Sequence, residues 1–169
     1  SEKLIKLKKI ITINIKNQTY NINVFENILD GSESFALVKG DIKKNRSTRV
    51  RVISSNIIKN YLMGEKLPNV FNKTIDYFKK YKDCVLVFIR DSNLKSVSET
   101  LRSYKSKKFY VGGKDKLIRN YGIGAQIIKT LKIKKMILVT RSKKKVVGLD
   151  GYGIKITQQE IIKWKKKYL

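Results

Sequence analysis

The residues best placed for chemistry lie in one stretch, Arg119–Gly153, RNYGIGAQIIKTLKIKKMILVTRSKKKVVGLDGYG. It reads as a Gly-rich turn, an amphipathic helix, a short apolar strand, a basic loop and a second Gly-rich turn. The basic loop, residues 141–145, directly follows the apolar run 136–140. Ligands of open α/β sheets bind at the carboxyl ends of strands, so this loop is a candidate anion contact. What is missing narrows the chemistry further. The chain has no His, which removes the commonest general base and the commonest zinc ligand. Its one Cys, Cys84, sits inside the apolar run CVLVFI. A nucleophile here would need a strongly perturbed Lys, Asp or Tyr, and none is singled out by its neighbours.

The formal charge is +26, from 32 Lys and 7 Arg against 13 acidic residues. That balance suits an anionic partner and predicts salt-sensitive, nonspecific polyanion binding. The surplus is nearly all Lys, however, whereas Arg is the usual residue for bidentate recognition of phosphate or guanine. Two readings follow. One is compositional drift on a solvated surface. The other is a basic nucleic-acid-binding α/β module using the lysines at 105–108, 132–135, 143–145 and 163–167. Against the second stands the lack of any arginine–aromatic recognition motif. A lone Cys points to a reducing, cytoplasmic setting. No apolar run approaches the roughly 20 residues that span a bilayer. The first residue is Ser, which fits a processed or excised chain.

These residues must be positioned by a surrounding domain, and 169 residues suit one domain. Residues 3–15 and 19–25 alternate toward strands on either side of Asn17-Gln18. Asp30-Gly31-Ser32 signals a turn, and residues 34–41 form a strand ending at Gly40-Asp41. After a basic loop, residues 48–53 alternate strictly, placing Arg49 and Arg51 opposite Val50 and Val52. The first 55 residues thus read as an antiparallel β unit. Pro68 precedes a helix over 69–81, and Cys84–Ile89 is a buried strand. A further helix spans about 96–104, and Phe109–Val111 meets a turn at Gly112-Gly113. A helix over 123–131 stops at Lys132–Lys135 and leads into the strand 136–140. Residues 154–156 form an edge strand, after which Thr157 caps a closing helix over 158–168.

RNYGIGAQIIKTLKIKKMILVT, the basic loop and GLDGYGIKI, preceded in order by SFALVKGD and TRVRVISS, resemble GTP cyclohydrolase II. That family opens GTP at the start of riboflavin synthesis. The resemblance runs through most of the chain and implies one α/β domain over 1–169, a mixed β-sheet with flanking helices. The family's zinc ion, held by three cysteines, activates the attacking water. Here those positions fall on Asn56, Leu67 and Asn69, so no cofactor is expected. The family's His-Glu falls on Ile53 and Ser55, its phosphate-contacting turn near Ser92, Asn93 and Leu94, and its acid on Leu117. Other positions match. Arg119 corresponds to the family's reactive arginine, Thr140 and Lys145 to the nucleotide-binding loop, and Arg51 to the arginine of the GTP-binding strand.

Each match has a plainer alternative. Arg119 could pair with Asp115, Thr140 could merely end its strand, and Lys145 is one of three consecutive lysines on a solvated loop. Tyr121, Gly122 and Gly124 suit a helix start and close packing rather than ligand contact. The resemblance therefore implies a riboflavin-biosynthesis domain without hydrolytic activity, in a structural or regulatory role. It implies a homodimer, a residual GTP or phosphate ligand, and a fused N-terminal 3,4-dihydroxy-2-butanone 4-phosphate synthase domain.

Overall fold

The computed structural model describes residues 3–62, 64, 66–90, 96–105, 114–143, 146 and 149–163. Seven strands form one mixed sheet: β1 (Ile5–Ile15), β2 (Gln18–Asn27), β3 (Glu33–Lys39), β4 (Thr48–Ser54), β5 (Cys84–Ile89), β6 (Lys135–Thr140) and β7 (Lys155–Ile161). Among the described residues three α-helices accompany them: α1 (Leu67–Phe78), α2 (Ser96–Lys105) and α3 (Lys114–Thr130). The spatial order is β1-β2-β3-β5-β4-β6-β7. β1, β2, β3 and β5 pair antiparallel, while β5, β4, β6 and β7 run parallel.

The antiparallel half follows from local signals. Lys16 and Asn17 both take positive φ, 47° and 64°, so a two-residue turn joins β1 to β2. β3 ends at Gly40, φ 75°. A Cβ there would collide with Asp83 and with the Lys82 carbonyl, so only glycine fits. Asp83 in turn accepts from the Asp41 N–H and pairs with Arg46, which fixes the loop before β4.

The parallel half departs from the sequence reading. β4 does not join the antiparallel unit; β5 inserts between β3 and β4. The reason lies in the burial of β4, where Val50 and Ile53 face opposite sides and both are buried. A strand covered on both faces belongs in the interior of a parallel sheet. The closing helix is also corrected: residues 155–161, including Thr157 and Gln158, are strand β7, paired in parallel with β6 from Lys135↔Lys155 to Thr140↔Ile161. Pairing with β6 outweighs the local helix signal there. Residues 164–169 lie outside the described residues, as do the expected strand and turn at 109–113. α3 begins at Lys114, so Gly122 and Gly124 lie inside a helix rather than in a turn. Its end is as expected: Lys132 adopts φ 64° just past Thr130.

Helices cover both faces. α1 starts with Pro68 in its first turn, where a missing N–H costs nothing. Its Val70, Ile75 and Phe78 pack with Leu37, Ile53, Cys84 and Leu86. On the other face Ala125, Ile127 and Ile128 of α3 pack with Val50, Val85, Val87 and Ile89. Gly124 lets α3 approach: a Cβ there would lie 3.1 Å from Ile89 Cδ1 and 3.9 Å from Val52 Cγ1.

Candidate functional site

The candidate site is the carboxyl edge of the parallel strands. Ser55 N–H donates to the Ile89 carbonyl at 3.0 Å, so β4 and β5 stay joined one residue past β4. Asn56 follows and is buried. Its Nδ2 donates to Thr100 Oγ1 at 2.9 Å and its Oδ1 accepts from the Lys59 N–H at 3.0 Å. It also takes part through its backbone, whose N–H donates to Asn60 Oδ1 at 2.6 Å. Asn56 therefore caps the π-helical segment Ile58–Leu62 and ties α2 to the end of β4.

Arg51 is only 7% exposed. Its Nη1 donates to the Val139 carbonyl at 3.3 Å, bracing the end of β6. The next residue, Thr140, is 4% exposed. Its Oγ1 is buried and meets no hydrogen-bond partner among the described residues. Strand alternation puts the two on different faces: Arg51 shares the α1 side with Arg49 and Ile53, and Thr140 shares the α3 side with Leu138 and Met136. Their link is thus through the β6 backbone, not side chain to side chain. Arg119 lies on α3, on Thr140's side of the sheet, but its side chain lies outside the described residues, as does that of Leu117. Lys145 and Ser92, Asn93 and Leu94 also lie outside them.

Exposed basic residues follow the parallel strands: Arg90 after β5, Arg141 and Lys143 after β6, Lys163 after β7. Clustered cations at strand ends raise the local concentration of anions. Arg90 is not singled out by the sequence, and Lys163 stands there only within the 163–167 lysine cluster, because the parallel course of β5 and β7 is not legible locally. The signal available was a basic residue immediately after the apolar runs of β5 and β6.

The positions that the resemblance assigns to zinc do not fit that metal. Asn56 spends its amide on Thr100 and the backbone. Leu67 offers no donor and packs against the α1-side core, and Asn69 is exposed on α1. Ile53 is buried in the same core. Cys84 lies at the opposite end of β5 from the site, and burial pushes its thiol up to about 12. Among the described residues no three His, Cys, Asp or Glu side chains group to hold a metal.

A second polar cluster lies on the α1 face of the sheet, where Arg49 is level with Cys84 rather than with the strand ends, and was not anticipated. Arg49 donates to Glu160 from Nε at 2.8 Å and from Nη2 at 3.3 Å. Tyr77 Oη donates to the same carboxylate at 2.6 Å, and the guanidinium stacks 3.6 Å from the Tyr81 ring centroid. Burial pushes the Glu160 carboxyl up, but the bonds from Arg49 and Tyr77 and the charge of Arg49 outweigh it, leaving the group below its ordinary value. Burial likewise lowers Arg49, and its bond to Glu160 reverses that to a net rise. The cluster clamps β7 to β4 across β6. Its acid was hidden because Glu160 was expected on a helix.

Fold and site together define a mixed-sheet α/β domain with polar and basic residues gathered at the carboxyl ends of its parallel strands. Residues 8–160 match the family model of GTP cyclohydrolase II, and the chain belongs to that family. The riboflavin biosynthesis protein RibBA of Bacillus cereus is 28% identical over 94% of this chain and 43% of its own length. A monofunctional riboflavin biosynthesis protein, RIBA 2, chloroplastic, of Arabidopsis thaliana is 29% identical over 92% of this chain and 34% of its own. The chain thus spans less than half the length of these relatives. The crystal structure of RibBX, a two domain 3,4-dihydroxy-2-butanone 4-phosphate synthase from A. baumannii, shares the fold. Its TM-score is 0.57 at 21% identity, over 97% of this chain and 41% of that one.

Proposed function

We propose that this chain is a GTP cyclohydrolase II-like domain of a riboflavin-biosynthesis protein that lacks the family's zinc hydrolysis. Its role is that of a homodimeric scaffold, structural or regulatory, for a fused 3,4-dihydroxy-2-butanone 4-phosphate synthase domain. The observation that carries this reading is the donor set: the chain has no His and one Cys, and Asn56, Leu67 and Asn69 stand where the resemblance assigns the zinc ligands. Zinc hydrolysis needs three protein ligands and an open fourth position.

A residual nucleotide or phosphate site accompanies this role. Thr140 supports it through a buried hydroxyl with no partner among the described residues. Arg119 and Lys145 are its proposed anion contacts. Arg51 serves it by holding the Val139 carbonyl and so the strand end that carries Thr140. The basic residues after β5, β6 and β7 favour an anion at the same edge.

Two measurements test the reading. Metal analysis of the purified chain is expected to find zinc far below one equivalent, with no formate released from GTP. Stoichiometric zinc together with GTP turnover to formate overturns it. Calorimetric titration with GTP or pyrophosphate is expected to give heat that Arg119→Ala abolishes. Heat unchanged in that variant removes Arg119 from the site.

A further inference from the structure

The two edges of the sheet are built differently. β7 is seven residues long and points Glu160 inward, bonded to Arg49 and Tyr77. An inward charge on a short, polar strand is a device that discourages strand addition. β1 is eleven residues long, and every residue from Lys6 to Thr12 is exposed. Three of those are large and apolar: Leu7, Ile10 and Ile11, with Ile10 55% exposed. Only one side of β1 is paired among the described residues, to β2.

The charges on β1 are arranged unevenly. Lys6, Lys8 and Lys9 all precede Ile10, and residues 10–15, IITINI, carry none. The register shift between Leu7 and Lys9 sets Lys8 apart, and its ammonium lies 3.2 Å from Glu33 on β3. Consider a second β1 laid antiparallel against the first about a two-fold axis at Ile10. Lys9 then faces the partner's Ile11 and, with Lys8 out of register, Leu7 faces the partner's Thr12 and Lys6 faces the partner's Ile13. No lysine meets a lysine. A parallel pairing would instead stack like charges. An isologous interface requires this self-complementarity, in which each half of the patch matches the other. A separate acidic strand would use the lysines and leave the neutral half without a match.

We infer that the chain dimerises by antiparallel pairing of β1 with β1 of a second copy, centred on Ile10, which joins the two sheets into one. This names the surface of the homodimer proposed above and rests on that part of the reading. The axis runs perpendicular to the sheet, so α3 lies on the same side in both copies. The lysine stems cover the facing isoleucines while their ammonium groups stay in water. Because each chain carries +26, salt is expected to tighten the dimer by screening repulsion, the reverse of its effect on polyanion binding.

Sedimentation of the whole chain across a concentration series tests this, together with two substitutions at the exposed Ile10. Ile10→Lys places two ammonium groups face to face and is expected to weaken dimerisation at least about ten-fold, a change of about 1.4 kcal/mol. Ile10→Cys puts two thiols opposite each other within disulfide reach and is expected to give a covalent dimer under mild oxidation. The native Cys84, fully buried, serves as the internal control. A chain that stays monomeric at every concentration overturns both the homodimer and this surface. A dimer that Ile10→Lys leaves intact, and that Ile10→Cys does not cross-link, overturns the surface alone.

Discussion

Arg49 and Arg51 leave the same face of β4 two residues apart, yet the fold uses them differently. Arg49 meets a carboxylate through two donors, stacks on Tyr81, and shares Glu160 with Tyr77. Arg51 gives its Nη1 to a main-chain carbonyl, at the end of the strand that carries Thr140. One arginine is neutralised and holds strands together. The other braces the backbone at the edge where ligands of such sheets bind. Buried cations of this kind are separated by their partners, not by their residue type. A strand pattern alone could rank neither above the other.

Removing the clamp should produce the largest effect. Arg49→Ala leaves the largely covered Glu160 carboxylate without its main counter-charge, and removes the stack on Tyr81. The pair is partly buried, with side chains 24% and 17% exposed, so the loss falls below that of a fully buried pair. About 2 to 3 kcal/mol is expected, read as a fall in the urea midpoint. Heats of GTP or pyrophosphate binding should change little. A variant as stable as the parent would show that the clamp contributes nothing to stability.

The same pair predicts a pH dependence. The Glu160 carboxyl in the folded chain lies below its ordinary value, and the unfolded value is roughly 4.3. Stability from the pair is therefore fully present above about pH 4.3 and is lost as pH falls through the folded value. Glu160→Gln should cost about 1 to 2 kcal/mol at pH 7, and the gap to the parent should close progressively below pH 4. A gap constant from pH 7 to pH 3 would assign the loss to shape rather than charge.

These contrasts explain what could be read from the residues alone. β1, β2, β5 and β6 were legible because alternation or a continuous apolar run marks them without any long-range knowledge. α1 was legible from Pro68 and the spacing of Val70, Phe71, Ile75 and Phe78. The insertion of β5 between β3 and β4 was not, since order within a sheet is set by crossovers and not by local pattern. β7 was misread because KITQQEI carries weak strand signals, and its pairing to β6 and the Arg49–Glu160 bond decide its state. Arg51 and Thr140 were found by resemblance. Their placement on opposite faces follows only once β4 and β6 are known to be parallel neighbours.

Thr140 offers the next test, on the Arg51 side of the comparison. Its hydroxyl is buried and meets no hydrogen-bond partner among the described residues, and a buried hydroxyl left unpaired costs stability. Thr140→Val keeps the shape and removes that group. It should raise stability by up to about 1 kcal/mol while weakening the GTP heat. Opposite movements of stability and binding would mark Thr140 as a ligand group. A loss of stability would mean that the hydroxyl is satisfied within the fold.

The smallest effect is expected on the other face, at the two glycines of α3. They differ as the two arginines do, by what lies opposite. Among the described residues a Cβ at Gly122 would meet only Tyr152 Oη at 3.7 Å, ordinary contact, whereas one at Gly124 would press on Ile89 Cδ1 at 3.1 Å. Glycine inside a helix costs roughly 0.5 to 1 kcal/mol relative to alanine. Gly122→Ala should therefore stabilise the domain by about 0.5 kcal/mol, because the helix gains and nothing is displaced. Gly124→Ala should gain less or lose, because Ile89 sits in the core between β5 and α3 and must shift by a few tenths of an ångström. Thermal melts of the two variants decide the matter. Equal gains at both positions would show that Gly124 is not needed for the approach of α3, and that the helix would pack as well without it.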